Sequence, residues 1–170
     1  WSVIRDSELN DDVTVRPSSV VTEAKVAPGA TVGPFSHLRP AADIGADAEI
    51  GAFVEVKKSR LGRGVKAHHL AYIGDASLGN HVNFAAGAII CNYDGVKKNQ
   101  TVIEDGVFIG SGAELVAPVR IRRNAYVAAG STVTDEVPAN ALAIARGRQV
   151  NKPGWVAKRK KKASATKRKS

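Results

Sequence analysis

The sequence predicts an all-β fold: a three-sided parallel β-solenoid of six-residue repeats, with a short helix or arm at its C-terminal end. Three observations carry this. An aliphatic residue recurs at every sixth position, a small residue stands four places after it, and the spacing changes only after a multiple of three repeats. The aliphatic series runs Leu9, Val15, Val21; Val26, Val32, Leu38, Ile44, Ile50, Val56; Leu61, Ala67, Ile73; Leu78, Phe84, Ile90; and, after an insertion, Ile103, Ile109, Leu115, Ile121, Val127, Val133. Of these twenty-one positions only Ala67 is not Val, Ile, Leu or Phe, and eighteen are followed four residues on by Ala, Ser or Val. Two inward positions per repeat are thereby specified. If length can change only after every third repeat, a coil has three sides and about 18 residues, and only a corner absorbs the change. Seven coils at ~4.8 Å give a rod roughly 34 Å long. Antiparallel strands would instead alternate at period two and turn every 8 to 12 residues or so.

The first element, residues 1–137, is the solenoid, interrupted by an insertion over 91–102 that adds seven residues between Ile90 and Ile103. Glycines just after the aliphatic residue (Gly33, Gly45, Gly51, Gly62, Gly74, Gly79, Gly110) suit corners that need positive φ or close backbone approach. Repeats are already running by Leu9, with no capping segment and no initiator Met, so the chain reads as cut from a longer protein. The second element, 138–157, opens with Ala, Leu, Ile and Arg at loosely helical spacing from Pro138 to Val150 and reads as a cap, helix or arm. The third, 158–170, reads as a basic disordered tail.

That tail decides what the charge means. The net charge is +9, but Lys158 to Lys169 holds eight Lys or Arg and no acid, leaving 17 basic against 16 acidic residues elsewhere. A neutral body with a solvated tail argues against specific nucleic-acid binding. The 44% hydrophobic content with 5% aromatic residues points to a core of small and branched aliphatics. No apolar run approaches the ~20 residues of a membrane span. The single cysteine, Cys91, cannot form an internal disulfide, and nothing at the start resembles a signal segment, so the expected compartment is the cytoplasm.

Polar residues off the inward positions are the candidates for chemistry. His68, His69 and Tyr72 pass this filter, in the one repeat whose inward aliphatic has shrunk to Ala67. A histidine there can act as a general base near neutral pH, although exposed histidines are mostly inert. The loop Cys91, Asn92, Tyr93, Asp94, Gly95, Val96, Lys97, Lys98 stands out from a rigid rod, as functional loops do, and equally as tolerated insertions do.

Those stretches closely resemble the C-terminal acetyltransferase domain of the bacterial bifunctional family that acetylates glucosamine 1-phosphate and uridylylates the product to UDP-N-acetylglucosamine. The likeness rests on Gly33, Pro34, Phe35 with Leu38, Arg39, Pro40; on Phe53, Val54, Glu55 with Lys57, Lys58; on His69, Leu70, Tyr72, Gly74, Asp75; and on Asn83. It continues through Cys91 to Gly95, Gly110, Ser111 and Val116, Ala117, Pro118, and covers roughly residues 3–155. The resemblance implies a left-handed helix, against the usual crossover rule, and a homotrimer with sites between subunits. It implies His69 as general base, Arg39, Lys57, Tyr72, Asn83 and Lys98 as sugar-phosphate contacts, and Ala86, Asn92, Tyr93, Ser111, Ala129 and Arg146 as acetyl-CoA contacts. Acetyl-CoA is the implied co-substrate. No metal is implied here, since magnesium belongs to the uridyltransferase domain, which this chain lacks.

Ala71 and the run Ala85, Ala86, Gly87 depart from the family pattern, and small packing effects are expected from them. A hexapeptide carbonic anhydrase would need three histidines converging on zinc, and His37, His68, His69 and His81 show no such pairing. A transferase using acyl carrier protein would have a different loop and histidine setting. The non-catalytic alternative is a structural or regulatory β-solenoid, which needs neither His69 nor the Asn92–Tyr93 loop.

Overall fold

The computed structural model of this protein describes residues 1–160. Short parallel strands wind through three sheets in turn, and each strand pairs with its counterparts one coil before and one coil after. The first side stacks Val3–Arg5, Val20–Thr22, His37–Leu38, Glu55–Lys57, Tyr72–Gly74, Ile89–Cys91, Glu114–Val116 and Thr132–Val133. The second stacks Glu8–Leu9, Lys25–Val26, Ala42–Ile44, Ser59–Leu61, Ala76–Leu78, Thr101–Ile103 and Val119–Ile121. The third stacks Thr14–Val15, Thr31–Val32, Glu49–Ala52, Lys66–His69, Asn83–Phe84, Phe108–Ile109, Tyr126–Val127 and Leu142–Ala143. Val3–Arg5 and Leu142–Ala143 lie beyond the repeats found in the sequence and extend two sides to eight strands.

The aliphatic series fills the interior from Val21 to Val133, all of it buried, with Leu9 and Val15 partly covered at the open end. The small inward residue needs a correction. At the corner following the first side the repeat is one residue short in three of these coils, and there Ala24, Ser59 and Ala76 are buried while Lys25, Arg60 and Ser77 are exposed. The invariant rule is therefore "two before the next aliphatic". Side chains alternate across a strand, so an inward residue fixes its neighbour two away and not one beyond a corner of variable length.

The corner glycines also sort differently from a simple positive-φ reading. Of the seven expected at corners only Gly33 is left-handed, at φ 98°. Gly45 and Gly62 are needed for close approach: a Cβ on Gly45 would lie 2.5 Å from the Gly62 carbonyl carbon, and one on Gly62 would lie 2.6 Å from that of Gly79. Left-handed corners are carried instead by residues such as Asp47, Phe53, Leu70, Asp75 and His81.

The expected short C-terminal helix is present, but it lies beyond the stretch Pro138 to Val150. That stretch is extended, its strand Leu142–Ala143 pairs with Tyr126–Val127 to close the rod, and the helix begins at 155 and runs through 160. Residues 158–160 of the predicted tail are thus helical, and 161–170 lie outside the described residues. No helix among the described residues is long and apolar enough to cross a membrane.

Ala67 is explained by its neighbour. Lys66 pairs with Asn83, which places Ala67 directly below Phe84, the largest fully buried side chain of the rod. The ring occupies the volume that an aliphatic at 67 would take. We expect Ala67→Ile alone to overpack the column and cost about 1–3 kcal/mol. Phe84→Ala alone should cost about 3–5 kcal/mol. The double change Ala67→Ile with Phe84→Ile should recover much of either loss, as read by denaturant unfolding.

A candidate active site on two sides of one edge

The third and first sides meet at an edge whose outermost residues, coil by coil, are Phe35, Phe53, Leu70, Gly87, Gly112 and Gly130. All six have positive φ. The first three side chains stand in solvent at 51%, 59% and 64% exposure, with Phe35 and Phe53 stacked at 5.2 Å. From Gly87 onward the edge carries no side chain. A Cβ added at Gly112 would meet nothing within 4 Å, so these glycines leave a track open where Phe and Leu had made a ridge.

Four residues singled out in the sequence line this track. His69, Ala86, Ser111 and Ala129 each stand two places after the inward aliphatic. The bonds from Gly87 N to His69 O (3.2 Å), Gly112 N to Ala86 O (2.9 Å) and Gly130 N to Ser111 O (2.9 Å) tie successive members together. One strand spacing per step puts His69 and Ala129 roughly 14 Å apart along the rod. Arg146 reaches the far end, where its Cδ lies 3.8 Å from the position of a Cβ on Gly130. A depression of about 250 Å³ on the third side is lined by Lys66, His68, His69, Asn83, Ala86 and Ser111, among others. Among the described residues the Ala86 N–H has no acceptor, whereas Ala85 N and Gly87 N donate to Ile109 and His69 carbonyls.

The two adjacent histidines differ. His68 Nε2 lies 2.9 Å from Glu49 Oε2 and is engaged there. Burial works to raise the Glu49 pKa, but the hydrogen bond to His68 and the Lys66 charge prevail and hold it below the ordinary value. His69 is exposed at the end of its strand, its ring 5.9 Å from that of His68, and has no hydrogen-bonded side-chain partner among the described residues.

The remaining predicted residues gather on the first side. Arg39 donates to Glu55 at 2.7 Å, and that bond, stronger than the opposing burial, raises its pKa further. Lys57 and Lys98 face each other. The neighbouring Lys57 pushes Lys98 below the ordinary lysine value, while Lys57 is held up by its proximity to Lys98 and by the attraction of Asp75. Tyr72 is in register with Glu55, and its hydroxyl lies 3.4 Å from Asn92 Nδ2. Asn92 itself is buried at the base of the insertion, while Tyr93 is 59% exposed. None of Arg39, Lys57, Tyr72 and Lys98 lines the depression that holds His69. The predicted residues therefore fall into two groups that look outward from adjacent sides of a prism.

The insertion is a tight hairpin. Tyr93 bridges Lys98, Asp94 N donates to Lys97 O, and Asn99 N donates to Asn92 O. Cys91 stands just before it, its thiol pKa raised by burial. Sequence reading missed Gly87, Gly112 and Gly130, although the switch from Phe, Phe and Leu to three glycines at one repeat position is visible in the letters. Among the described residues no three His, Cys, Asp or Glu side chains cluster as a metal site.

The profile described as "Bacterial transferase hexapeptide (six repeats)" matches residues 100–135. A bifunctional protein GlmU from Exiguobacterium sibiricum is 58% identical over 154 residues, covering 91% of this chain and 34% of that protein. One from Caldicellulosiruptor saccharolyticus is 50% identical over 166 residues, covering 94% and 31%. The chain thus spans about a third of the length of the curated relatives it matches. The polySia-specific acetyltransferase NeuO shares the fold, with a TM-score of 0.52 at 14% identity over 98% of this chain and 89% of that one.

The hairpin offers a pH measurement. Asp94 accepts from Val96 N and Lys97 N at 2.8 Å each and from Asn99 Nδ2 at 2.8 Å, and the two backbone bonds, Lys97's first, lower its pKa to about 2. A depressed carboxylate contributes stability that is complete above its unfolded value and is lost as pH falls through the folded one. The amide shifts of Val96 and Lys97 should therefore titrate with a midpoint near pH 2, not near the ordinary aspartate value of 3.8.

Proposed function

The chain belongs to the GlmU family over the third of those proteins that it spans, and from that premise we propose that it transfers the acetyl group of acetyl-CoA to the amine of glucosamine 1-phosphate. The product, N-acetylglucosamine 1-phosphate, would feed UDP-N-acetylglucosamine synthesis in the cytoplasm for peptidoglycan and lipopolysaccharide. The observation that carries this reading is the row His69, Ala86, Ser111, Ala129 along a glycine track, with a cationic cluster on the adjoining side.

In the proposed mechanism the thioester arm lies along the track, where Gly87, Gly112 and Gly130 leave it room, and Arg146 and Ala129 border its far end. His69 takes the proton from the sugar amine as the nitrogen attacks the thioester carbonyl, a role worth ~10²- to 10⁴-fold in rate; the tetrahedral intermediate then collapses, the C–S bond breaks, and CoA leaves as its thiol with the proton that His69 returns. The unpaired Ala86 N–H is suited to the oxyanion. Arg39, Lys57 and Lys98 supply charge-assisted donors for the phosphate dianion, with Tyr72 and Asn83 at the sugar hydroxyls and Asn92 and Tyr93 beside the acetyl group. Because the two half-sites face outward from adjacent sides, this reading needs a second copy to bring His69 opposite Lys57, as in a homotrimer. The exposed Phe35, Phe53 and Leu70 beside the track support such an assembly, since a contiguous apolar ridge is the kind of surface a neighbour covers.

Thiol release from acetyl-CoA should occur with glucosamine 1-phosphate and not with glucosamine 6-phosphate or without sugar. His69→Ala should lose at least ~10²-fold in turnover with assembly intact. Full turnover in that variant would refute the catalytic assignment, and no release from an assembled protein would favour a structural solenoid. Gly112→Leu should raise KM for acetyl-CoA by filling the track. It should cost stability only on the order of 1–2 kcal/mol, because Phe53 and Leu70 hold the same backbone conformation at this edge.

A further inference from the structure

Asp75 is the one buried charged residue among the described residues, at 5% exposure, and the mechanism above gives it no part. It follows the strand Tyr72–Gly74 at a left-handed corner, φ 50°. Its Oδ2 accepts from Asn92 Nδ2 at 2.6 Å and lies 3.6 Å from Lys57 Nζ, and its Oδ1 lies 3.7 Å from Lys58 Nζ. Its backbone is engaged on both sides as well: the N–H donates to Lys57 O at 3.1 Å, and the carbonyl accepts from Thr101 N at 3.2 Å. Asn92 opens the hairpin and Thr101 follows it, so one residue holds both ends of the insertion.

A carboxylate removed from water is held in its charged form only by close partners. The two partners of Oδ2 are residues to which the proposed function gives different substrates, Lys57 for the phosphate and Asn92 for the acetyl group. The amide of Asn92 is oriented by Asp75 on one side and the Tyr72 hydroxyl on the other. The same oxygen that holds Asn92 lies 3.6 Å from Lys57 Nζ, and its charge favours the Lys57 ammonium. We propose that Asp75 is a positioning residue that couples the two half-reactant sites, setting Lys57 and the Asn92 loop in one geometry; this rests on the acetyltransferase reading above.

Asp75→Asn tests this without changing shape, since the amide oxygen can still accept from Asn92 while the counter-charge for Lys57 is gone. The positioning role predicts that KM for glucosamine 1-phosphate rises and kcat falls, each by on the order of 10-fold, as for a misplaced binding group. The alkaline limb of kcat/KM should move to lower pH, because an ammonium that loses its anionic neighbour gives up its proton more easily. A charge that merely sits nearby predicts the opposite sign, because removing an anion beside a dianion site lowers KM. An unchanged or lowered KM in Asp75→Asn, with melting temperature and assembly as in the parent and Asp43→Asn as the control, would therefore overturn the proposal. A second readout does not depend on turnover: exchange of the Asn99 amide, bonded to the Asn92 carbonyl, should quicken at least ~10-fold in Asp75→Ala, and in Asp75→Ser, whose side chain is too short to reach Asn92, if the alanine variant does not fold. If the unmodified protein acetylates no amino sugar, the acetyltransferase reading fails by itself, and Asn99 exchange still decides whether Asp75 pins the loop.

Discussion

Everything in this molecule depends on the ladder of main-chain hydrogen bonds between one coil and the next. Each strand is only a few residues long and satisfies its N–H and C=O groups with strands one turn away, so no coil is stable alone and every coil must repeat the geometry of its neighbours. Repetition at strand spacing turns each repeat position into a column. Inward columns must stack without voids, which is why they hold aliphatic and small residues almost without exception. Outward columns carry no such demand and are free to become a surface.

That division explains where the candidate site lies. The track from His69 to Ala129 is an outward column, and its members are aligned along the rod by the same inter-coil bonds that hold the fold together. The site needs no separate scaffold and inherits the rigidity of the ladder. The cationic group on the first side shows how such a surface carries charge. Arg39 is balanced by Glu55, and Lys57 and Lys58 by the buried Asp75, so Lys98, left facing Lys57, is the ammonium whose pKa falls. A dianion placed among them would relieve that repulsion.

Much of this was legible in the letters because a solenoid translates geometry into period. Ala67 showed as an anomaly in its column, but the letters could not say that Phe84, one coil later, fills the space, since coil-to-coil neighbours are 17 residues apart there and their register is decided by the ladder. The misassigned Ser77 had the same origin: a deletion shifts a count made forward from Ile73, while the pleat counts backward from Leu78. By position alone His68 and His69 were equivalent; the family likeness pointed to His69, and the Glu49 contact then tells the engaged ring from the free one. The spacing in 138–150 left cap, helix or arm open because nothing local announces that Leu142 and Ala143 will be captured by the exposed edge of the last coil.

The sequence by itself determined the three-sided coil, the identity of the inward columns and the place of the insertion, since each follows from a six-residue period that a local pleat enforces. Its likeness to a family supplied the candidate residues. Only the tertiary structure decided how those residues are distributed: one group along a glycine track, the other on the adjoining side, with Asp75 buried between strand and loop. The reason is physical. Which outward residues share a column, which carboxylate is desolvated and which lysines confront each other depend on contacts between successive coils, and no local pattern in the chain encodes those distances.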